Sequence, residues 1–248
     1  MNIGILGSGN IGATLATRLS AAGHQVKVAN SRGPETIPSE LLSTGARAVH
    51  ADDVITDVDA LIISIPLARL PEIRPLIDRL STDAVVLDTS NYYPVRDGTI
   101  EALEDGQPES VWVAEQLGRP VVKAWNAILA GSFADKDTAP GDPERIAIPV
   151  AADSAEDREL GISLVEQTGF DGVQGGSLAE SWRQQPGAPG YCTDLTKEHL
   201  PAALAAAVAT RSPKRRDLAM HVIRAMVDDP DAEVTSDFIL RLNRLLYP

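Results

Sequence analysis

Ile3-Gly4-Ile5-Leu6-Gly7-Ser8-Gly9-Asn10-Ile11-Gly12 decides the fold of this 248-residue chain. A short apolar strand runs directly into Gly7-x-Gly9-x-x-Gly12, and Ala13, Leu15, Ala16 and Leu19 continue with helical spacing. Each glycine answers a separate physical demand. Gly7 lets the chain turn tightly, Gly9 lets backbone approach a pyrophosphate, and Gly12 lets the helix pack on the strand. A pyrophosphate placed there meets the free N–H groups and the positive dipole end of the helix. Gly7, Ser8, Gly9, Asn10, Ile11 and Gly12 are therefore the expected cradle of a dinucleotide.

The next apolar run, Gln25 to Asn30, reads as a second strand. An NAD site places Asp or Glu near its end, to bind the ribose 2′-hydroxyl. This chain has Asn30-Ser31-Arg32-Gly33 instead. A carboxylate would repel a 2′-phosphate, whereas a serine hydroxyl and an arginine fork donate to its oxygens. Asn30, Ser31 and Arg32 are thus expected at the adenosine end of an NADP(H) cofactor, with Thr36 and N–H groups near Gly33 as further donors. The plainer reading of Arg32 is a solvated turn residue.

Outward from there, apolar strands alternate with helical segments. Strands are expected at 46–50, 60–65, 84–88, 120–125, 146–150 and 170–174, with helices at 34–43, 70–80 and 110–117 and after Ser154. Ala60 to Ile65 is an unbroken apolar run, as in a parallel strand buried on both faces, and Pro149 marks an edge or a bulge. The pattern predicts an α/β fold, a Rossmann-type doubly wound, mostly parallel sheet. Beyond residue 176 a Pro/Gly loop leads into a helical extension. Leu200, Leu204 and Val208 are expected to share one helix face behind a Thr196 cap. Leu218, Val222, Ile223 and Met226 share a second face, and Phe238, Ile239, Leu242, Leu245 and Leu246 a third. Residues 1–176 form the expected dinucleotide domain. Residues 177–248 form a tail that covers the site or builds a subunit interface.

Ligands of open parallel sheets bind at the carboxyl ends of the strands. Ser64-Ile65-Pro66, the Asp88-to-Pro94 segment and Trp125-Asn126-Ala127 should therefore border the nicotinamide. Pro66 would hold the chain extended beside the ring. Asn91, Asn126 and Ala127 are placed near the carboxamide or the substrate, although either asparagine could simply satisfy its own turn. No catalytic residue is assigned. His24, His50, His199 and His221 lack the context of a proton donor, Asp88 reads as a helix or loop cap, and Lys123 lies inside a strand. Cys192 has no flanking cation pattern to make it a thiolate. There is no CxxC, HExxH or GxSxG, so no metal site is expected.

Hydrophobic residues make up 44 %, enough for a packed core, and the net charge of −13 argues against nucleic-acid or anionic-membrane partners. An anionic cofactor must be held by local donors. One cysteine and an apolar strand starting beside Met1 give the expectation of a cytoplasmic protein.

Five segments together resemble the coenzyme F420-dependent NADP oxidoreductases, whose fold is shared by STEAP reductase domains. They are Gly7 to Gly12, Asn30 to Gly33, Ser64 to Pro66, Asp88 to Pro94, and Val122 to Asn126, in order over residues 1–175. The resemblance implies NADP(H) bound through Ser31 and Arg32, a second ring system near the Pro66 and Asn126 loops, and a homodimer. Coenzyme F420 is then a co-substrate, with a small acceptor as the alternative. A hydroxyacid- or imine-type reductase and an NADP(H)-sensing module without turnover are the competing functions. The long tail from Ala179 and the bulky Asn91-Tyr92-Tyr93-Pro94 loop depart from the family pattern and leave the acceptor open.

Overall fold

The computed structural model describes residues 1–229 and 232–247. β1 (Asn2–Leu6), β2 (Gln25–Ala29), β3 (Arg47–Ala48), β4 (Ala60–Ile63), β5 (Val85–Asp88) and β6 (Val122–Lys123) form one parallel sheet, ordered β3-β2-β1-β4-β5-β6. Strand order reverses between β1 and β4, which opens a crevice at their carboxyl ends. β7 (Ala147–Val150) and β8 (Asp171–Gln174) pair in parallel with each other. An antiparallel bridge between Lys123 and Ala151 joins this pair to the main sheet. Pro149 therefore stands in a strand with few partners on one side, as its missing N–H requires.

The central strands are apolar throughout because both of their faces are covered. Ile3, Ile5 and Ile62 face one core with Leu15 and Leu19 of the first helix (Asn10–Ala21). Leu61, Ile63 and Val86 face another, with Trp112 and Val113 of the helix Glu109–Leu117. That helix stops at Gly118, whose φ of 65° is the left-handed conformation that glycine adopts without strain. The helix Ala155–Gln167 starts as expected, with the Asp157 N–H donating to the Ser154 hydroxyl at 3.2 Å.

Several expected elements are corrected. The 70–80 helix is a 3-10 turn over Leu67–Ile73 followed by the short helix Arg74–Ile77, because Pro71 and Pro75 each remove an N–H donor. The 34–43 helix is two 3-10 turns, Pro34–Thr36 and Ser39–Leu42, separated by the extended Pro38. The third and sixth strands keep only two ladder residues each.

The tail begins with a 3-10 turn, Leu178–Gln184, opened by a reciprocal capping box between Ser177 and Glu180. Three helices follow, Leu200–Ala206, Ser212–Val227 and Ser236–Leu246. His199, not Thr196, stands at the first helix's N-cap, and Val208 lies beyond its end. In the second helix the buried positions are Ser212, Arg216 and Ala219, while Leu218 and Val227 are exposed. Leu245 of the third is also exposed, and Leu240 and Asn243 face inward. Two hydrogen bonds on Cys192 tie the tail down. Its N–H donates to the Ala127 carbonyl at 2.9 Å, and its carbonyl accepts from Asn243 Nδ2 at 3.2 Å. Among the described residues no helix is long and apolar enough to cross a membrane.

Candidate functional site

A cavity of about 670 Å³ lies over the carboxyl ends of β1, β2 and β4. Gly7, Ser8, Gly9, Asn30, Ser31, Arg32, Ser64, Ile65 and Pro66 all line it, so nine of the expected residues converge there. The glycines differ in what surrounds them. A Cβ on Gly7 would lie 2.1 Å from the Ser64 carbonyl oxygen, and one on Gly12 would lie 2.0 Å from the Gly7 carbonyl oxygen. A Cβ on Gly9 meets nothing within 4 Å. Gly7 and Gly12 are thus required by the fold, and Gly9 leaves space open above the helix. Gly9 is the helix N-cap, without a side-chain cap and with no acid in the first turn, so the helix's positive end is left uncompensated.

Asn30 joins the glycine turn to the loop after β2. Its Nδ2 donates to Ser8 Oγ at 3.1 Å and to Thr36 Oγ1 at 2.9 Å, and its Oδ1 accepts from the Arg32 N–H at 2.9 Å. Asn30 and Thr36 therefore shape the loop, while the side chains of Ser31 and Arg32 stand exposed at its tip. Two charged residues that the sequence reading passed over, Arg69 and Glu72, also line the cavity as an ion pair at 2.7 Å. Both lie on the 3-10 turn after Pro66. Proline followed by Leu-Ala-Arg is the only sequence signal for them.

Asn10, Ile11 and Gly12 belong to the first helical turn beneath this cavity and do not line it. Asn91, Asn126 and Ala127 are elsewhere, at the ends of β5 and β6, bonded within the protein. Asn91 Nδ2 donates to the Asn126 carbonyl at 2.9 Å, and Asn126 Nδ2 donates to Asn91 Oδ1 at 3.1 Å. From the tail, Gln184 Nε2 donates to Asn126 Oδ1 at 2.9 Å, and the Gln184 carbonyl accepts from Asn126 Nδ2 at 2.9 Å. The loop residue Tyr93 shares a hydroxyl–hydroxyl bond of 2.7 Å with Tyr191. Burial drives the hydroxyls of both tyrosines, and the Cys192 thiol, well above their ordinary ranges, so all three stay neutral.

Beneath these loops, Lys123 Nζ and Asp88 Oδ2 pair at 2.7 Å with both side chains fully buried. Asp88 Oδ1 also accepts from the Ser90 N–H at 3.0 Å, the cap expected of it. Asp88 and Lys123 are register partners in adjacent strands. Opposite charges at matching ends of two apolar runs were the available signal for this pair. Nearby, Glu109 is buried in the first turn of its helix. Burial pushes its carboxyl up to about 7, against the opposing pull of the Lys123 ammonium. An acid in a first helical turn reads as solvated, so nothing local marks Glu109.

Residues 2–92 match the family model described as "NADP oxidoreductase coenzyme F420-dependent". A Sinorhizobium meliloti structure described only as a hypothetical protein, SMa0349, superposes with a TM-score of 0.67 at 26 % identity, covering 79 % of this chain and 96 % of that one. A structure from Arthrobacter sp. FB24, described as a candidate F420-dependent NADP-reductase, gives a TM-score of 0.58 at 19 % identity, covering 73 % and 87 %. That degree of identity supports the shared fold. Metalloreductase STEAP3 of Rattus norvegicus is 27 % identical over 180 residues, 72 % of this chain and 34 % of that one. The chain spans between one third and two fifths of the lengths of the curated relatives it matches. Through residues 2–92, on a Rossmann-type α/β fold, this chain resembles the coenzyme F420-dependent NADP oxidoreductase family.

Proposed function

We propose that the chain is an NADP(H)-dependent oxidoreductase that moves hydride between the nicotinamide and a deazaflavin of the F420 kind. The observation that carries this reading is the cavity whose floor is an uncapped helix start at Gly9 and whose rim presents Ser31, Arg32 and Arg69. The N–H groups after Gly9 would hold the pyrophosphate, and Arg32 with Ser31 would donate to the 2′-phosphate. Arg69 brings a second guanidinium to the rim, with its charge balanced by Glu72. Pro66 has no N–H, so the strand end beside the ring offers no competing donor there. Bound in this way, the nicotinamide would supply or take up hydride at its C4 carbon. Asn91 and Asn126, bonded to each other, are positioning residues that fix the spacing of the β5 and β6 loops.

The description of the matching family model supports a deazaflavin acceptor. A small acceptor is the second reading, and the tail favours it, because Gln184 already takes up the amide of Asn126. On either reading residues 177–248 act as a cover over the ends of β5 and β6. Exposed Leu218, Val227 and Leu245 leave apolar surface on the tail for a homodimer contact. The test is to mix the protein with NADPH and oxidised F420 and follow the nicotinamide absorbance. Loss of absorbance that requires both protein and deazaflavin is expected. Tight NADPH binding without turnover of F420 would favour the small acceptor, and no consumption of NADPH across a panel of small acceptors would replace the enzyme with a binding module.

A further inference from the structure

Arg69 and Glu72 enter the wall of the dinucleotide cavity from the turn after β4, whereas Ser31 and Arg32 enter it from the loop after β2. β1 stands between those two strands, so the two segments flank its glycine turn. The path of the chain beyond β4 decides which part of a dinucleotide the pair meets. Arg79 Nη1 lies 2.6 Å from Oδ1 of Asp52, the neighbour of the cavity residue Ala51. Ile73 and Leu76 pack on the same core as Ala51 and line the cavity with it. Residues 67–79 therefore run toward the side of the sheet formed by β2 and β3, and no residue of β5 or β6 lines the cavity. That side is the adenosine side, because Asn30, Ser31 and Arg32 follow β2 directly.

The pair is close, at 2.7 Å, but its side chains are 63 % and 53 % exposed. An ion pair this open to water shifts an equilibrium by about twofold. A guanidinium bonded to a phosphate oxygen is a charge-assisted contact and shifts it by about tenfold or more. In a contest for the same guanidinium the phosphate therefore wins by about fivefold. A ribose hydroxyl carries no charge and does not displace the carboxylate. The backbone need not follow the exchange. The Arg69 N–H donates to the Pro66 carbonyl at 3.0 Å, which holds the turn while the long, exposed side chain swings.

We infer that Arg69 is a further specificity-determining residue for NADP(H), leaving Glu72 to bind the 2′-phosphate from the β4 side while Ser31 and Arg32 bind it from the β2 side. Glu72 is the resting partner of the guanidinium and its competitor when the cofactor arrives. This inference rests on the NADP(H) reading of the cavity and adds to it the facing half of the phosphate site.

The test is calorimetric titration of the full chain and of Arg69→Gln, Glu72→Gln and Arg32→Ala with NADPH and with NADH. Arg69→Gln should bind NADPH about tenfold more weakly and NADH nearly as the parent does. Its thermal midpoint should match the parent's, since both side chains of the pair are exposed. Glu72→Gln should bind NADPH about twofold more tightly, because the competing partner is gone. Equal weakening of NADPH and NADH in Arg69→Gln would place the guanidinium at the pyrophosphate and overturn the inference. Weaker NADPH binding in Glu72→Gln would overturn the exchange of partners, since the carboxylate would then be orienting the guanidinium. A preference for NADPH that is lost in Arg32→Ala but kept whole in Arg69→Gln would sink the inference and leave the NADP(H) reading standing. A parent with no such preference would sink both.

Discussion

Glu109→Gln should stabilise the protein, and increasingly so as pH rises. Glutamine keeps the shape of the side chain and an oxygen to accept from the Tyr92 N–H, but it cannot ionise. In the folded chain burial lifts the Glu109 carboxyl from 4.5 up to about 7. The folded state therefore holds this proton more tightly than the unfolded state does. Its contribution to stability is complete below the unfolded value of 4.5 and is lost as pH rises through about 7. At one pH unit per 1.36 kcal/mol, the full loss is about 3 kcal/mol by about pH 8.5, against about 1 kcal/mol at about pH 5.5. Every other titrating group is common to both proteins and cancels in the difference. Urea unfolding of the two proteins at both pH values should show the advantage of Glu109→Gln growing by about 2 kcal/mol, or about 4–8 °C in the thermal midpoint. A constant offset across this range would refute the reasoning, since it would mean the carboxyl ionises as freely inside as outside.

Gly12→Ala places a Cβ 2.0 Å from backbone, so it should cost about 1–3 kcal/mol or more of stability, read by thermal unfolding. Gly9→Ala meets open space at an ordinary φ of −72°, so its melting temperature should match the parent while NADPH binds about tenfold or more weakly by calorimetry. Lys123→Met leaves Asp88 buried without its partner and should cost about 3–5 kcal/mol in urea unfolding. Adding Asp88→Leu should recover part of that loss. A cost under about 1 kcal/mol for Lys123→Met would mean the pair does not hold β5 to β6.

Much of the fold was legible because the central strands are buried on both faces, which forces unbroken apolar runs such as Ala60 to Ile65. The glycine turn was legible because its demands are local: a Cβ at Gly7 or Gly12 would fall 2.1 or 2.0 Å from a backbone carbonyl oxygen, far inside van der Waals contact. Helix 70–80 misled because Leu70, Ile73, Leu76 and Ile77 keep helical spacing, while Pro71 and Pro75 break the hydrogen-bond ladder that spacing presumes. The tail misled for a different reason. Leu218 has the more apolar side chain, yet Arg216 is the residue that faces inward, because Tyr92 and Asp217 receive its guanidinium. Such a choice depends in part on Tyr92, more than a hundred residues away, and leaves no local periodicity. At the candidate site, the cavity lined by the glycine turn and the loop after β2 was readable from two short motifs. The β5–β6 side was not, since the pairing of Asn91, Asn126 and Gln184 joins three distant segments.

In the proposed function Ser31 and Arg32 hold the 2′-phosphate of NADP(H). Calorimetric titration of the protein and of Arg32→Ala with NADPH and with NADH tests it most directly. A lost charge-assisted phosphate contact of about 1.5–3 kcal/mol predicts that the parent prefers NADPH and that Arg32→Ala weakens NADPH about 10- to 150-fold while NADH is little changed. Equal affinity of the parent for the two cofactors, or a preference for NADH, would mean that Ser31 and Arg32 do not read a 2′-phosphate.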